Sequence, residues 1–262
     1  MIVYPEIPNE VSPVIFDSHA HFYDEKFEGV RDELLEKLPS FGVCGVINCG
    51  CDKKSSEESV ELSEKYSYMY SAVGIHPEFY DRISELDEIE KLSSHKKCVA
   101  IGEIGLDYYW NPDKSAEQKE LFEKQLLLAD KLSLPVIVHD REAHGDTLEI
   151  LQKYKPKGVL HSFSGSPEMA MEIVKIGMYI GIGGVITFKN AKKLPEVVAK
   201  IPEDKILLET DAPYLTPVPF RSKINHSAMI YLTAQMVAEI RGTTTENILN
   251  ISYSNAKRLF GI

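Results

Sequence analysis

Cysteine is scarce here, with four in 262 residues. Cys44, Cys49, Cys51 and Cys98 form no C-x-x-C pair of the kind that builds a zinc ribbon or a redox motif, and a secreted disulfide framework is denser. Cys44, Cys49 and Cys98 sit in apolar, strand-like runs and are expected to be buried free thiols. Positive charge is also short: 29 Lys and Arg face 40 Asp and Glu, for a net charge of −11. That balance argues against broad electrostatic capture of nucleic acid. It leaves room for a nucleic-acid enzyme whose metal ions supply local positive charge. No apolar run approaches the length of a membrane span. The start, MIVYPEIPNEV, lacks the basic and apolar regions of a signal peptide. A reduced, cytoplasmic location with no membrane partner is therefore expected. A G-x-G-x-x-G turn is missing as well, which weighs against a doubly wound dinucleotide-binding sheet.

What is present is a long alternation of short apolar runs and amphipathic stretches. Strands are expected at 14–17, 44–50, 70–76, 98–103, 135–139, 158–163, 178–184 and 206–211. Between them lie helix-like segments such as 55–67 and 115–133, the second with Ser115 and Gln118 spaced as a capping box. Eight strand-plus-helix units imply parallel strands joined by crossovers, and such units close into an α/β TIM (β/α)8 barrel. With 44% hydrophobic residues and no low-complexity linker, a short extension over 1–13 followed by one domain over 14–262 is the expected organisation. The tail from Ser227 onward reads as two helices packed on the barrel.

The run VIFDSHAHF at 14–22 ends on two histidines two residues apart, which places both on one side of an extended segment. Taken alone, they are as easily polar residues leaving a strand. Other strand ends repeat the theme: Glu103 closes CVAIGE, His139 closes PVIVH, His161 sits in GVLHSF and Asp211 closes ILLETD. In a barrel these ends converge on one face, where active sites form. His19, His21, Glu103, His139, His161 and Asp211 together can hold two divalent ions if one carboxylate is shared. Glu103 is the natural bridge between the two histidine groups. Imidazole suits zinc, and the carboxylates leave manganese, nickel and magnesium open.

The ordered segments DSHAH (17–21), GIHP (74–77), GEIGLDYY (102–109), HDREA (139–143), HSFSG (161–165) and ETDAPYLTPVP (209–219) resemble the TatD family of metal-dependent hydrolases. The resemblance runs from about residue 15 to 262 and implies an amidohydrolase-like TIM barrel with a two-metal site. It also implies deoxyribonuclease activity, of the 3′–5′ exonuclease kind on single-stranded or damaged DNA. By motif, one metal would take His19, His21 and Asp211, and the other His139 and His161, with Glu103 shared. Glu103 and Asp211 are the expected catalytic pair, with Asp211 accepting the proton of the attacking water. His76, Arg141, Lys189 and Arg221 are the candidate substrate contacts. Tyr108 and Tyr109 would cover the barrel mouth or stack on a base. Asp17 would support the His19 and His21 edge from behind.

The sequence departs from the family pattern after PYLTPVP. A histidine is replaced by Phe220, an arginine by Ile224 and an E-P pair by His226-Ser227, while Arg221, Lys223 and Asn225 remain. Glu78 stands where a histidine often follows G-x-H-P. The altered loop over 220–227 is expected to pass beside the metals and to affect substrate choice. DNA is the expected partner, with RNA as a variant and a monomer as the simplest state. The alternative is a metal-dependent ester or amide hydrolase, such as an aminoacyl-tRNA deacylase. A metal-bound, non-catalytic binding protein is a third reading, disfavoured by the complete ligand set.

Overall fold

The computed structural model describes residues 2–8 and 13–262. Of the expected N-terminal extension, Met1 and residues 9–12 lie outside the described residues. Eight parallel strands pair in sequence order: β1 (Ile15–Ala20), β2 (Val43–Cys49), β3 (Met69–Val73), β4 (Cys98–Asp107), β5 (Val136–Arg141), β6 (Gly158–Leu160), β7 (Tyr179–Ile182) and β8 (Ile206–Leu208). The helices are α1 (Arg31–Lys37), α2 (Lys53–Lys65), α3 (Leu86–Ser93), α4 (Ser115–Leu132), α5 (His144–Tyr154), α6 (Pro167–Lys175), α7 (Lys193–Lys200), α8 (Ile230–Arg241) and α9 (Thr245–Phe260). This is a TIM barrel, as expected. Its strands carry near-continuous apolar runs because helices cover one face and the barrel interior the other.

The interior floor is a layer of Phe16, Ile47, Ala72, Ala100, Ile137, Val159, Tyr179 and Leu207, one side chain from each strand. Ala256 and Phe260 of α9 pack into the same cluster and close that end. Both tail helices therefore form where the sequence places them. Directly above the floor, two residues further on, come His139 in β5 and His161 just past the end of β6. On β1 and β4 the step from floor to site is three residues, Phe16 to His19 and Ala100 to Glu103. Simple alternation would turn those side chains outward. Register shifts between Asp17 and Ala20, and between Ile101 and Ile104, restore the inward phase.

The seam between β8 and β1 has little ladder pairing. The backbone contributes Asp211 N–H to His19 O at 3.0 Å and His21 N–H to Ala212 O at 2.7 Å. Asp17 fills the gap, accepting from Thr210 N at 3.0 Å, Thr210 Oγ1 at 2.6 Å and Ser227 Oγ at 2.7 Å. It also accepts from His19 N at 3.3 Å. Burial pushes its carboxyl up to about 7, with these hydrogen bonds opposing the shift. Asp17 thus supports His19 through the backbone, not through the imidazole ring.

Two expectations need correction. Ser115 makes no cap: Lys114 holds the cap position of α4 without a side-chain bond. Gln118 instead turns into the core. Its Oε1 accepts from Asp107 N at 2.8 Å, and its Nε2 donates to Asp107 O at 2.9 Å and Asn111 O at 3.1 Å. Two turns further along the same helix face, Gln125 holds both backbone groups of Ile75 in the same way. These glutamines satisfy strand ends that have outrun their neighbours, a use that outranks capping. Cys49 and Cys98 are buried free thiols, but Cys44 is exposed, because it points away from the barrel near the start of β2.

The N-terminal segment lies against the altered loop. His226 is buried, its Nε2 is 2.6 Å from Val3 O, and its ring tilts against Tyr4, which stacks on Phe41. Burial pulls the His226 imidazole down from its ordinary 6.5 to about 4.

Gln118→Ala is expected to lose about 2 kcal/mol of stability, because it strands buried backbone groups; a lower urea midpoint at unchanged slope checks this. His226 stays neutral in the fold while the unfolded chain protonates near 6.5, so its stabilising contribution is intact above pH 6.5 and is lost as pH falls toward 4. Urea midpoints at pH 7 and pH 5 should converge in His226→Gln relative to the parent.

Candidate metal centre

Glu103 projects into the barrel, 3% exposed, and its two carboxylate oxygens face different neighbours. Oε1 lies 2.8 Å from His161 Nε2, 2.9 Å from His139 Nδ1 and 3.6 Å from His76 Nε2. Oε2 lies 3.3 Å from His19 Nε2 and 3.5 Å from His21 Nε2. Asp211 Oδ1 completes the second group at 3.6 Å from His19 and 3.4 Å from His21. Asp211 has a φ of 59°, a left-handed conformation that aspartate tolerates better than most residues. All six expected ligands converge, in two sets that share one carboxylate.

The donor set suits divalent cations, in overlapping groups that include His19, His21 and Asp211, and His19, Glu103 and His161. His19 Nε2 and His21 Nε2 face each other at 2.9 Å. Each ring's tautomer is set from behind where a partner exists. His21 has its Nδ1 2.9 Å from Cys49 O; the carbonyl can only accept, so Nδ1 donates and Nε2 is aimed inward. His139 is turned the other way, with Nε2 at 3.0 Å from Asp107 Oδ2 and Nδ1 facing the Glu103 carboxylate. His19 Nδ1 and His161 Nδ1 are buried with no hydrogen-bond partner. Carboxylates and imidazoles packed this tightly form a candidate cation site.

The charge balance points the same way. Burial pushes the Glu103 carboxyl up, but the His161 imidazole and the hydrogen bond from His139 outweigh it and hold the group ionised, well below the usual range. Asp211 is likewise held down, burial being overcome by His21 and His19. Burial lowers His139, and the Asp107 and Glu103 carboxylates reverse this and raise it to about 9. Without cations, then, protons balance the carboxylates; cations must displace them to bind.

Two carboxylates hold ligands in position: Asp107, which the sequence leaves open between orienting a ligand and capping a loop, and Glu209, which it does not single out. Asp107, at the end of β4, holds His139 as described. Glu209 sits two residues before Asp211, accepts a short hydrogen bond from Ser162 N and lies 3.7 Å from His161 Nδ1. A side chain on Gly181 would strike this carboxylate, since its Cβ would lie 2.4 Å from Glu209 Oε2. Carboxylates two or four residues from a ligand in GEIGLD and ETD were the available signal. Cys51 also reaches the site, with Sγ 3.8 Å from Glu103 Oε2 and 3.2 Å from Tyr23 OH.

Above the ligands opens a cavity of about 740 Å³. His76 and Arg141 line it, whereas Lys189, Arg221 and the rest of 220–227 do not. Arg221 lies 3.6 Å from the Phe188 ring centroid and reaches Thr216 O at 3.4 Å. The altered loop serves the fold instead: Asn225 Nδ2 donates to Thr210 O and Tyr214 O, Ser227 bonds Asp17, and His226 seats the N-terminal segment. Burial, followed by the neighbouring His139, lowers His76 to about 3, and Glu78 Oε2 is 3.4 Å from its Nδ1.

A family model described as TatD related DNase matches residues 16–261. This chain belongs to the TatD family. It is 41% identical over 256 residues to a Bacillus subtilis protein named uncharacterized metal-dependent hydrolase YabD, covering 95% of this chain and 100% of that one. It is 33% identical over 254 residues to the Escherichia coli K12 protein named uncharacterized metal-dependent hydrolase YcfH, covering 95% and 96%. The crystal structure of YJJV, a TatD homolog from E. coli K12, superposes with a TM-score of 0.90 at 30% identity, covering 96% of this chain and 100% of that one. The chain is therefore a TatD-family metal-dependent hydrolase. In this TatD protein, Asp107→Ala should weaken metal binding about 10- to 100-fold by freeing His139, read by chelator competition.

Proposed function

We propose that this hydrolase cleaves phosphodiester bonds in DNA, removing nucleotides from the 3′ end of single strands. The observation that carries the reading is the division of donors around Glu103 into two sets sharing one carboxylate. Two-cation sites of this kind suit in-line displacement at phosphorus, where attacking and leaving oxygens both need charge neutralised. The description of the matching family model as a DNase supports the same substrate class.

Divalent ions held by these residues supply Lewis acidity and make water ionisable near neutral pH. The rest falls to the protein. Asp211 stays ionised, with a fifth of its side chain open to the cavity, and takes the proton of the attacking water through its exposed edge. Glu103 and Asp107 fix the positions of His139 and His161 against displacement by substrate. Arg141, at the cavity wall, binds a phosphate oxygen. His76 is kept neutral and so can hydrogen-bond to substrate without adding charge.

A second reading, hydrolysis of an ester or amide such as an aminoacyl bond on tRNA, draws on the wall composition. Asp24, Glu78 and Asp140 line the cavity, with Arg141 its one Lys or Arg among the described residues. Metal-loaded protein should shorten single-stranded DNA from the 3′ end, and chelation should abolish this. Glu103→Ala and Asp211→Asn should each lower kcat by at least about 100-fold. Intact DNA across zinc, manganese, nickel and magnesium, together with turnover of an aminoacyl ester, would replace the nuclease reading by the second.

A further inference from the structure

Beyond the ligands, β4 runs into an exposed pair of aromatic rings. Tyr109 is 54% and Trp110 57% exposed, among the few large apolar side chains left open to solvent. Tyr108, by contrast, turns inward and gives its hydroxyl to Asp146 at 2.7 Å. The Tyr109 and Trp110 rings meet edge to face at 4.9 Å. The Arg141 guanidinium lies 4.0 Å from the Tyr109 centroid and 5.5 Å from that of Trp110. Trp110 and Arg141 both line the cavity above the metal ligands.

The ledge is tied to the metal centre by one carboxylate. Asp107 Oδ1 accepts from Tyr109 N and Trp110 N, each at 3.0 Å, while its Oδ2 holds His139 Nε2 at 3.0 Å. The backbone that carries the rings is thereby tied to a metal ligand. Exposed apolar rings are a cost in water unless something covers them. A cation set among them in a cavity wall suits an occupant with flat faces and negative charge.

We propose that Tyr109, Trp110 and Arg141 form a stacking ledge for an unpaired base of single-stranded nucleic acid entering the metal centre. The assignment rests on the nuclease reading and adds a specificity element to it: the base stacks on the rings, and Arg141 meets the adjoining phosphate. Duplex DNA keeps its bases paired and stacked on one another, so the ledge favours unpaired strands. Across the barrel mouth, Tyr214 is 42% exposed with Lys26 Nζ at 3.8 Å over its ring, offering a similar surface to the next stretch of the strand.

Trp110 is the sole tryptophan of the chain, so its fluorescence reports on the ledge alone. Metal-loaded protein is titrated with a phosphorothioate-linked thymidine decamer, which resists cleavage, and with a decamer of the same backbone lacking bases. Quenching by the first and not by the second is the expected result. Labelled-oligonucleotide anisotropy should show Trp110→Ala binding at least about five-fold more weakly and Trp110→Phe close to the parent. Equal quenching by both decamers, or unchanged affinity in Trp110→Ala, overturns the ledge even if DNA is cleaved. Base-dependent quenching without DNA turnover in any metal upholds the ledge and rejects the nuclease reading.

Discussion

One buried carboxylate organises this protein. Glu103 sits at the barrel axis with nitrogens from five histidines within 3.6 Å of its two oxygens. A lone carboxylate so deep would be forced to protonate. Here the surrounding imidazoles, or the cations they are built to hold, make the ionised form the stable one. The same arrangement divides the ligands, because each oxygen can serve only the neighbours on its own side.

Keeping those neighbours in place consumes much of the polar core. The β8–β1 seam, weak in ladder bonds, is held by Asp17, so the strand carrying His19 and the turn carrying Asp211 are fixed by one side chain. Asp107 connects His139 to the aromatic rings at the mouth, and Gln118 in turn pins the backbone of Asp107. A chain of buried hydrogen bonds therefore runs from α4 through a metal ligand to the cavity rim. Satisfied polar networks of this kind specify position closely because every unpaired member is costly.

Much of the site was legible beforehand. His19, His21, Glu103, His139, His161 and Asp211 each follow an apolar run, and a barrel brings such positions together. Less legible were residues whose role depends on what lies behind another side chain. Asp107 and Glu209 look like ordinary acidic residues until the ring they touch is known. The 220–227 loop illustrates the reverse error: its altered residues lie close in sequence to Asp211 yet turn to the seam and the N-terminal segment. Proximity along the chain does not give direction in a loop, since no periodicity constrains it.

The sequence by itself determined the barrel, through eight apolar runs at crossover spacing, and the ligand types, through where polar residues interrupt those runs. Only the tertiary structure decided which way the side chains face. Phe16 and His19, and likewise Ala100 and Glu103, are three residues apart and both point inward, which alternation forbids. The register shifts in β1 and β4 permit it. They are features of how each strand pairs with its neighbour, which no single run of residues displays.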